Sequence, residues 1–248
     1  MCCVLVLVSA TGCMYLRLLE VKRQLKTFES YFQISEQNGF ALVLLKPLLL
    51  SDDIIWLAAG GPTTQEETGQ DKLWKYVFEK QYPRSKDEQG CWDIPIVLFF
   101  KNDRLCRVNF PNRFHTIMSK TFFVGICQSM GHAKINKTQH SATAELWEKD
   151  LQNDMQIPKR QDIVNLLGKP FASKQFGFTS ILTYRYKLKE TTFVLDNRES
   201  YAWVSFTFRH GDGILLKAEG KVARAKVSMT YYVGDQLNKK TAKAGTIN

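Results

Sequence analysis

The stretch of sequence that decides the predicted fold is PKRQDIVNLLGKPFASKQFGFTSILTYRY, residues 158–186. Pro158 suits the first position of a helix, where its missing N–H has no intrahelical partner to lose. Residues 163–167 carry apolar side chains at helical spacing, and the GKP of residues 168–170 is a typical helix stop. The apolar positions that follow alternate, as in a strand with one buried face: Leu182, Tyr184 and Tyr186.

The same pattern occurs earlier in the chain, at a constant offset of 108 residues. The matched pairs are Gly60 with Gly168, Pro62 with Pro170, Tyr76 with Tyr184, Phe78 with Tyr186, Ile96 with Val204, Leu98 with Phe206, Phe100 with Phe208, and Lys101 with Arg209. Just upstream, Asp53-Ile54 matches Asp162-Ile163 if one residue is gapped. One offset that serves all these pairs predicts two copies of a single module.

Each copy predicts a short helix, a strand and a hairpin. In the first copy, Ser51 is the expected N-cap, and Gly60-Gly61-Pro62 ends the helix. The hairpins are expected to turn at residues 101–104 and 210–213. An amphipathic helix over Leu18, Val21, Leu25, Phe28 and Phe32 precedes the first copy, and residues 116–130 are its expected counterpart.

These elements predict an α+β fold. We expect two tandem modules, each with two helices packed on one face of a three- to four-stranded antiparallel sheet, because period-two strands bury only one face. The expected boundaries are a signal segment at 1–12, a first module with its N-terminal helix at 13–113, a second module at 114–233 and a basic flexible tail at 234–248.

The start of the chain is apolar, uncharged and ends in small residues before Cys13. Ala10-Thr11-Gly12-Cys13 resembles a bacterial lipobox, which implies that Cys13 is acylated and becomes the first residue of the mature protein. Met14 follows instead of an Asp, which implies sorting to the outer membrane, facing the periplasm. The alternative is an N-terminal strand or helix in a core, with Cys13 as a buried thiol.

The other cysteines of the mature chain are Cys91, Cys106 and Cys127. An odd number argues against a disulfide framework, and we expect buried free thiols.

The second copy resembles the small SmpA/OmlA (BamE-like) lipoprotein domains in its Leu167-Gly168-Lys169-Pro170 stop and the Tyr184-Arg185-Tyr186 strand. That resemblance covers about sixty residues well in the second copy and loosely in the first. A tandem pair of such modules is also the architecture of the β-lactamase inhibitor proteins. The resemblance implies an envelope lipoprotein that binds other proteins.

A sheet with helices on one face leaves its other face free for binding. The candidate binding residues are Trp203, Ser205, Thr207, Arg209, Trp74 and Tyr184. The alternative for Trp203 is that the other module covers it.

The sequence contains no Gly-x-Ser-x-Gly, His-Glu-x-x-His, P-loop or dinucleotide-binding motif. Cys127, His132 and His140 match no common zinc spacing, so no catalytic residue, metal or cofactor is predicted. The formal charge of +10 is spread along the chain, which favours a solvated surface or anionic lipid over nucleic acid.

Two functions remain open from the sequence. The first is a lipid-anchored, non-catalytic scaffold for envelope proteins with a role in outer-membrane assembly or maintenance. The second is a periplasmic ligand carrier or enzyme inhibitor that binds in the groove between the modules.

Overall fold

The computed structural model describes residues 2–36, 39–81, 92–115, 119–148, 157–189, 201–222 and 224–233; of residues 2–13 it describes the backbone alone. The helices are α1 (Cys2–Leu25), α2 (Phe28–Tyr31), α3 (Ser51–Ala58), α4 (Lys120–Gly131) and α5 (Arg160–Leu167). The strands are β1 (Phe32–Ser35), β2 (Ala41–Leu44), β3 (Thr64–Thr68), β4 (Asp71–Lys80), β5 (Ile94–Lys101), β6 (Arg104–Asn109), β7 (Lys134–Asn136), β8 (Ser141–Trp147), β9 (Ala172–Phe176), β10 (Thr179–Leu188), β11 (Tyr201–Arg209), β12 (Leu215–Val222) and β13 (Ala225–Tyr232).

All the described strands belong to one 13-stranded sheet, so the predicted fold class is wrong. The order along the sheet is β1-β2-β6-β5-β4-β10-β11-β12-β13-β8-β7, with β3 paired to β4 and β9 paired to β10. The prediction gave each module a separate small sheet with its own edge strands. An exposed edge strand has unpaired backbone groups, and here the edges of the two halves satisfy each other.

The two halves, residues 2–115 and 119–233, join through equivalent strands. β4 and β10 pair antiparallel through Phe78 with Leu188, Glu79 with Lys187 and Lys80 with Tyr186. At an offset of 108 residues, Phe78 corresponds to Tyr186 and Lys80 to Leu188. The pairing is therefore unchanged when the two halves are exchanged, as in a two-fold symmetric contact.

The bounds of the elements repeat the same offset. β3 and β9 differ by 108 residues at both ends, and so do β4 and β10. A register shift in the following strand falls between Phe99 and Phe100 in one half and between Thr207 and Phe208 in the other.

A tyrosine hydrogen bond also repeats. The hydroxyl of Tyr76 donates to the carbonyl of Gly60 (3.2 Å), and that of Tyr184 donates to the carbonyl of Gly168 (3.1 Å). Both tyrosines are buried, and burial raises the pKa of each phenol above its ordinary value. Each bond ties a central strand to the loop that ends a helix.

The two halves differ where β13 is inserted. In the first half β2 pairs directly with β6, antiparallel. In the second half β13 lies between β12 and β8, and it pairs with β8 in parallel. The sequence predicts a strand at residues 227–233, and β13 lies there, but its position between β12 and β8 and the outer pairs, β1 with β2 and β7 with β8, were not predicted.

The helices cover one face of the sheet in two neighbouring cores. The first core includes Phe28, Trp74 and Phe100, and the second includes Leu182 and Phe208. Helix α4 serves both. Its Phe122 stacks on Tyr231 in the second core (ring centroids 5.8 Å), whereas Phe123 meets Phe40 edge-on in the first (5.1 Å).

Two side chains cross the join between the halves. Leu188, from the second half, packs in the first core. Lys80, from the first half, is 3% exposed and donates through Nζ to the carbonyl of Leu167, at the end of α5. The same ammonium lies over the rings of Trp92 (5.5 Å) and Tyr184 (5.4 Å).

The helix starts differ in detail from the predictions. Leu50, not Ser51, is the N-cap of α3, and the Asp53 carboxylate accepts the Leu50 N–H (2.8 Å). The cap of α5 is Lys159, so Pro158 precedes the helix. The predicted helix over Leu18–Phe32 divides into α1 and α2, and its last residue begins β1.

No helix within the described ranges is both long and apolar enough to cross a membrane.

The backbone of residues 2–12 lies in α1, and the predicted tail, residues 234–248, lies outside the described residues. The predicted module boundary near residues 111–115 coincides with a 3-10 turn at Asn112–Phe114.

Replacing either repeated tyrosine with phenylalanine removes one hydrogen bond and leaves a buried glycine carbonyl without its partner. We expect Tyr76→Phe and Tyr184→Phe each to lower the free energy of unfolding by about 1–3 kcal/mol, measured by urea titration. Tyr186→Phe is the matched control, because the buried Tyr186 hydroxyl has no hydrogen-bond partner among the described residues. A loss in the control as large as in the other two would contradict this explanation.

Candidate ligand-binding groove

A narrow groove lies between the two halves. Helices α1 and α3 of the first half form one side, and β7, β8 and the start of β13 in the second half form the other. Its cavity volume is about 160 Å³. Pockets for drug-sized ligands are typically about 300–1,000 Å³, so this groove suits one narrow apolar segment.

The lining is mostly apolar, and helix spacing explains one wall. Tyr15, Leu18, Leu19 and Lys22 lie at positions i, i+3, i+4 and i+7 of α1, which share one face of a helix. The apolar residues on the other elements are Trp56, Leu57, Ile135, Ala142, Ala225 and Val227.

Cations surround this apolar lining. They are Lys22, Lys137, Arg224 and Lys226, and the lining residues include no Asp or Glu. The Lys137 ammonium lies 4.8 Å from the centre of the Tyr15 ring, and the Arg224 guanidinium lies 5.4 Å from that of Trp56. Glu219, outside the lining, pairs with Lys226 (2.7 Å). The groove therefore has a positive potential that favours an anionic group.

Tyr15 adds a polar position to the groove. Its hydroxyl is buried and has no hydrogen-bond partner among the described residues. A buried hydroxyl without a partner costs free energy.

An ion pair between a half-buried arginine and a buried aspartate fixes the wall formed by α1 and α3. Arg17 donates to Asp53 through Nε (2.8 Å) and Nη2 (2.7 Å), and Asp53 is 1% exposed. Across the groove, Trp56 meets His140 edge-on with ring centroids 5.8 Å apart. The two contacts hold α1 to α3 and α3 to the second half.

A second, larger cleft lies between α4 and β8. It has a volume of about 500 Å³, but its lining is nearly as polar as it is apolar and carries both Lys134 and Glu145. It therefore has neither the apolar lining nor the uniform charge sign of the groove.

The structure brings together only part of the predicted binding set. Ser205, Thr207, Arg209 and Trp203 lie half-buried on β11, and Trp203 lies between Arg185 of β10 and Lys221 of β12. The hydroxyls of Ser205 and Thr183 share a hydrogen bond (2.9 Å), and Arg209 donates to Asp212 (2.9 Å).

Trp74 and Tyr184, the remaining predicted binding residues, lie elsewhere. They are 4% and 0% exposed, so both belong to the cores that the helices cover, and neither is available to a partner. Trp74 and Tyr184 alternate with polar neighbours, as residues on one face of a strand do. The same alternation occurs when that face is buried and when it is free for binding.

The predicted lipidation site lies in α1, where the structure describes the Cys13 backbone but not its side chain. Cys91 lies outside the described residues, and Cys106 and Cys127 are free thiols. Burial raises the pKa of Cys127 to about 12. In the described part of the chain, no three His, Cys, Asp or Glu side chains cluster as metal ligands would.

Sequence reasoning missed the groove residues. The prediction for α1 recognised the face of Leu18, Val21 and Leu25, but Tyr15 and Leu19 give the same helix a second apolar face. A helix that is apolar on two faces packs against two different surfaces. This pattern in α1 was the sequence signal for the groove.

Comparison with known proteins gives no relative from which a function could be taken. No protein-family model, no curated protein and no solved structure matches the chain.

Asp53→Asn tests the ion pair that fixes the wall of the groove. The amide still accepts the Leu50 N–H, but the half-buried Arg17 loses the Asp53 carboxylate, so we expect a loss of about 1.5–3 kcal/mol in the free energy of unfolding. The control is Asp162→Asn in α5, where the equivalent carboxylate is exposed and accepts the Lys159 N–H (2.8 Å). There we expect about 0.5–1 kcal/mol. Equal losses in urea unfolding would argue against a special role for the pair.

Proposed function

We propose that the protein is a non-catalytic binding protein of the bacterial envelope whose groove takes an anionic amphiphile. The observation that carries the proposal is an apolar lining with four cations and no acidic residue among the lining residues, although Glu219 outside the lining pairs with Lys226. A narrow apolar chain fits the cavity, and its anionic head meets the ammonium groups of Lys22 and Lys137.

The position of the groove supports this proposal. It lies between the halves, where ligand sites commonly form, because neither half alone provides all of its walls. The aromatic rings of Tyr15 and Trp56 already lie against cations, so the lining combines apolar surface with positive charge at short range.

The envelope location is proposed from the sequence around Cys13. An acyl anchor at this cysteine would hold the protein on a membrane, with each buried methylene contributing about 0.8 kcal/mol. The resemblance to SmpA/OmlA domains remains part of the proposal, and it concerns the segment from α5 to β10. Binding without catalysis is proposed because the sequence lacks the catalytic motifs named above.

Binding of a small amphiphile tests the groove. We expect dodecanoate to displace a bound anionic naphthalene fluorophore, and we expect Lys22→Glu and Lys137→Glu each to weaken dodecanoate binding about tenfold or more, because like charges repel across the groove. Dodecyltrimethylammonium, with the same chain and a cationic head, should show the opposite trend in the two variants. Fluorescence titration measures both.

The matched control is Lys169→Glu, which changes the net charge equally at an exposed residue outside the lining. Its affinity for dodecanoate should equal that of the wild type. If all three variants weaken binding equally, net charge rather than the groove determines the affinity, and the proposed function is wrong.

The anchor has its own test. Cys13→Ala should abolish the added mass of diacylglycerol in intact-mass spectrometry and release the protein from the membrane fraction, because no other thiol lies in the lipobox-like segment. Cys106→Ala is the control and should keep the lipid. Globomycin should block maturation of the wild type, and an unmodified Cys13 in the mature wild type would contradict the anchor.

A second candidate is the scaffold for envelope proteins. What favours it is the face of β11, where Trp203 lies between two basic residues, since aromatic and basic side chains are common in protein interfaces. Native mass spectrometry of protein purified from its own membrane separates the candidates. A stoichiometric small ligand supports the groove, and a co-purified protein supports the scaffold.

A further inference from the structure

The hairpin between β9 and β10 carries two exposed phenylalanines at its tip. Phe176 is 81% exposed and Phe178 is 88% exposed, the highest values for large apolar side chains among the described residues. Two apolar rings exposed to water at one hairpin tip form an apolar surface patch. Such a patch indicates a binding site for an apolar partner.

The tip is held in a defined shape. Phe176 pairs with Thr179, and the Thr179 hydroxyl donates to the Phe176 carbonyl (2.9 Å). Gly177 between the rings has φ +55°, which a glycine adopts without strain. From the neighbouring turn, the His210 N–H donates to the Phe178 carbonyl (2.7 Å). The backbone is therefore fixed while both rings point away from the cores.

The equivalent hairpin of the first half has the opposite character. At the offset of 108 residues, Thr68 and Gln70 stand in place of the two phenylalanines, with Gly69 (φ +63°) between them. The segment 64–71 contains two Glu and one Asp, whereas 172–179 contains one Lys and no acidic residue. The same backbone thus forms one acidic, polar arm and one basic, aromatic arm.

The two arms extend in opposite directions. β4 and β10 are antiparallel and overlap only in their last three residues, so their first residues lie roughly 50 Å apart along the strands, at about 3.3 Å per residue. A flat anionic surface that meets the aromatic arm therefore does not meet the acidic one.

We propose that the Phe176–Phe178 tip inserts into an anionic lipid bilayer, as a contact separate from the Cys13 anchor and from the groove. Two phenylalanine rings offer at most about 500 Å², less than the roughly 800 Å² per partner that a stable protein interface buries. For insertion into a bilayer this area suffices, and Lys174, on the same hairpin face as Phe176, lies beside the anionic head groups.

Sedimentation with vesicles tests the proposal on the full chain carrying Cys13→Ala, which removes the anchor. We expect this protein to bind vesicles of phosphatidylcholine with phosphatidylglycerol. Exchanging the tip for the residues of the other hairpin, Phe176→Thr with Phe178→Gln, should lower the partition coefficient about tenfold or more, because the inserted apolar area is lost. Lys174→Glu should weaken binding to these vesicles but not to pure phosphatidylcholine.

Two controls separate the tip from other surfaces. Tyr201→Thr removes an aromatic side chain that is 49% exposed elsewhere on the sheet, and its partition should equal that of the parent chain. Lys137→Glu tests whether the groove holds the lipid, and Lys101→Glu, at an exposed residue beside the arm of the first half, is the matched charge control whose partition should stay within about twofold of the parent. All variants are compared with the parent by circular dichroism melting, so that unfolding is recognised.

The outcomes distinguish the alternatives. If the parent chain does not bind the vesicles, or if the double tip variant binds them equally well, the proposal is overturned. If the parent self-associates through the tip and the tip variant is monomeric, without vesicle binding in either, the tip is a protein contact and the membrane proposal is also overturned. Loss of vesicle binding only in Lys137→Glu would assign the lipid to the groove.

Discussion

Three residue pairs between β4 and β10 hold the whole molecule together as one sheet. The last residues of each strand, beyond the part that pairs with β3 or β9, form an edge of its own half, and an edge leaves a row of backbone donors and acceptors without partners. Because the edges are equivalent, each satisfies the other in the same register. The join also positions α3 against the second half, and so it creates the groove that neither half contains.

The sequence was sufficient for the local elements and insufficient for their assembly. Alternation identified the buried faces of β4 and β10, and the Gly-Pro stops placed the ends of α3 and α5 within about two residues. Nothing local indicates that Phe78 pairs with Leu188, because any strand with one apolar face has the same pattern whether its edge is open or paired. The outer strand β1 was missed because its four residues show too little periodicity, and the apolar run of residues 40–50, which contains β2, was left open between a strand and chain packed against the sheet.

The groove illustrates why binding sites are harder to predict than elements. Its walls come from α1, α3, β7, β8 and β13, which are distant in sequence, and the insertion of β13 in one half alone brings Arg224 and Val227 to it. Duplication predicts what two halves share, namely strands, stops and the Tyr76 and Tyr184 bonds. The candidate sites lie instead where the halves have diverged, and a repeat analysis discards those positions.

The crossing residues at the join have a consequence for assembly. Lys80 and Leu188 occupy equivalent positions, yet one is a cation that reaches the carbonyl at the end of α5 and the other is apolar. Two first halves placed together would bury two ammonium groups, and two second halves would leave the Leu167 carbonyl without its donor. Only the combination of one first half with one second half buries a single ammonium group and gives the Leu167 carbonyl its donor. Divergence at a single position therefore disfavours exchange of halves between copies of the chain, and it makes an originally interchangeable contact directional.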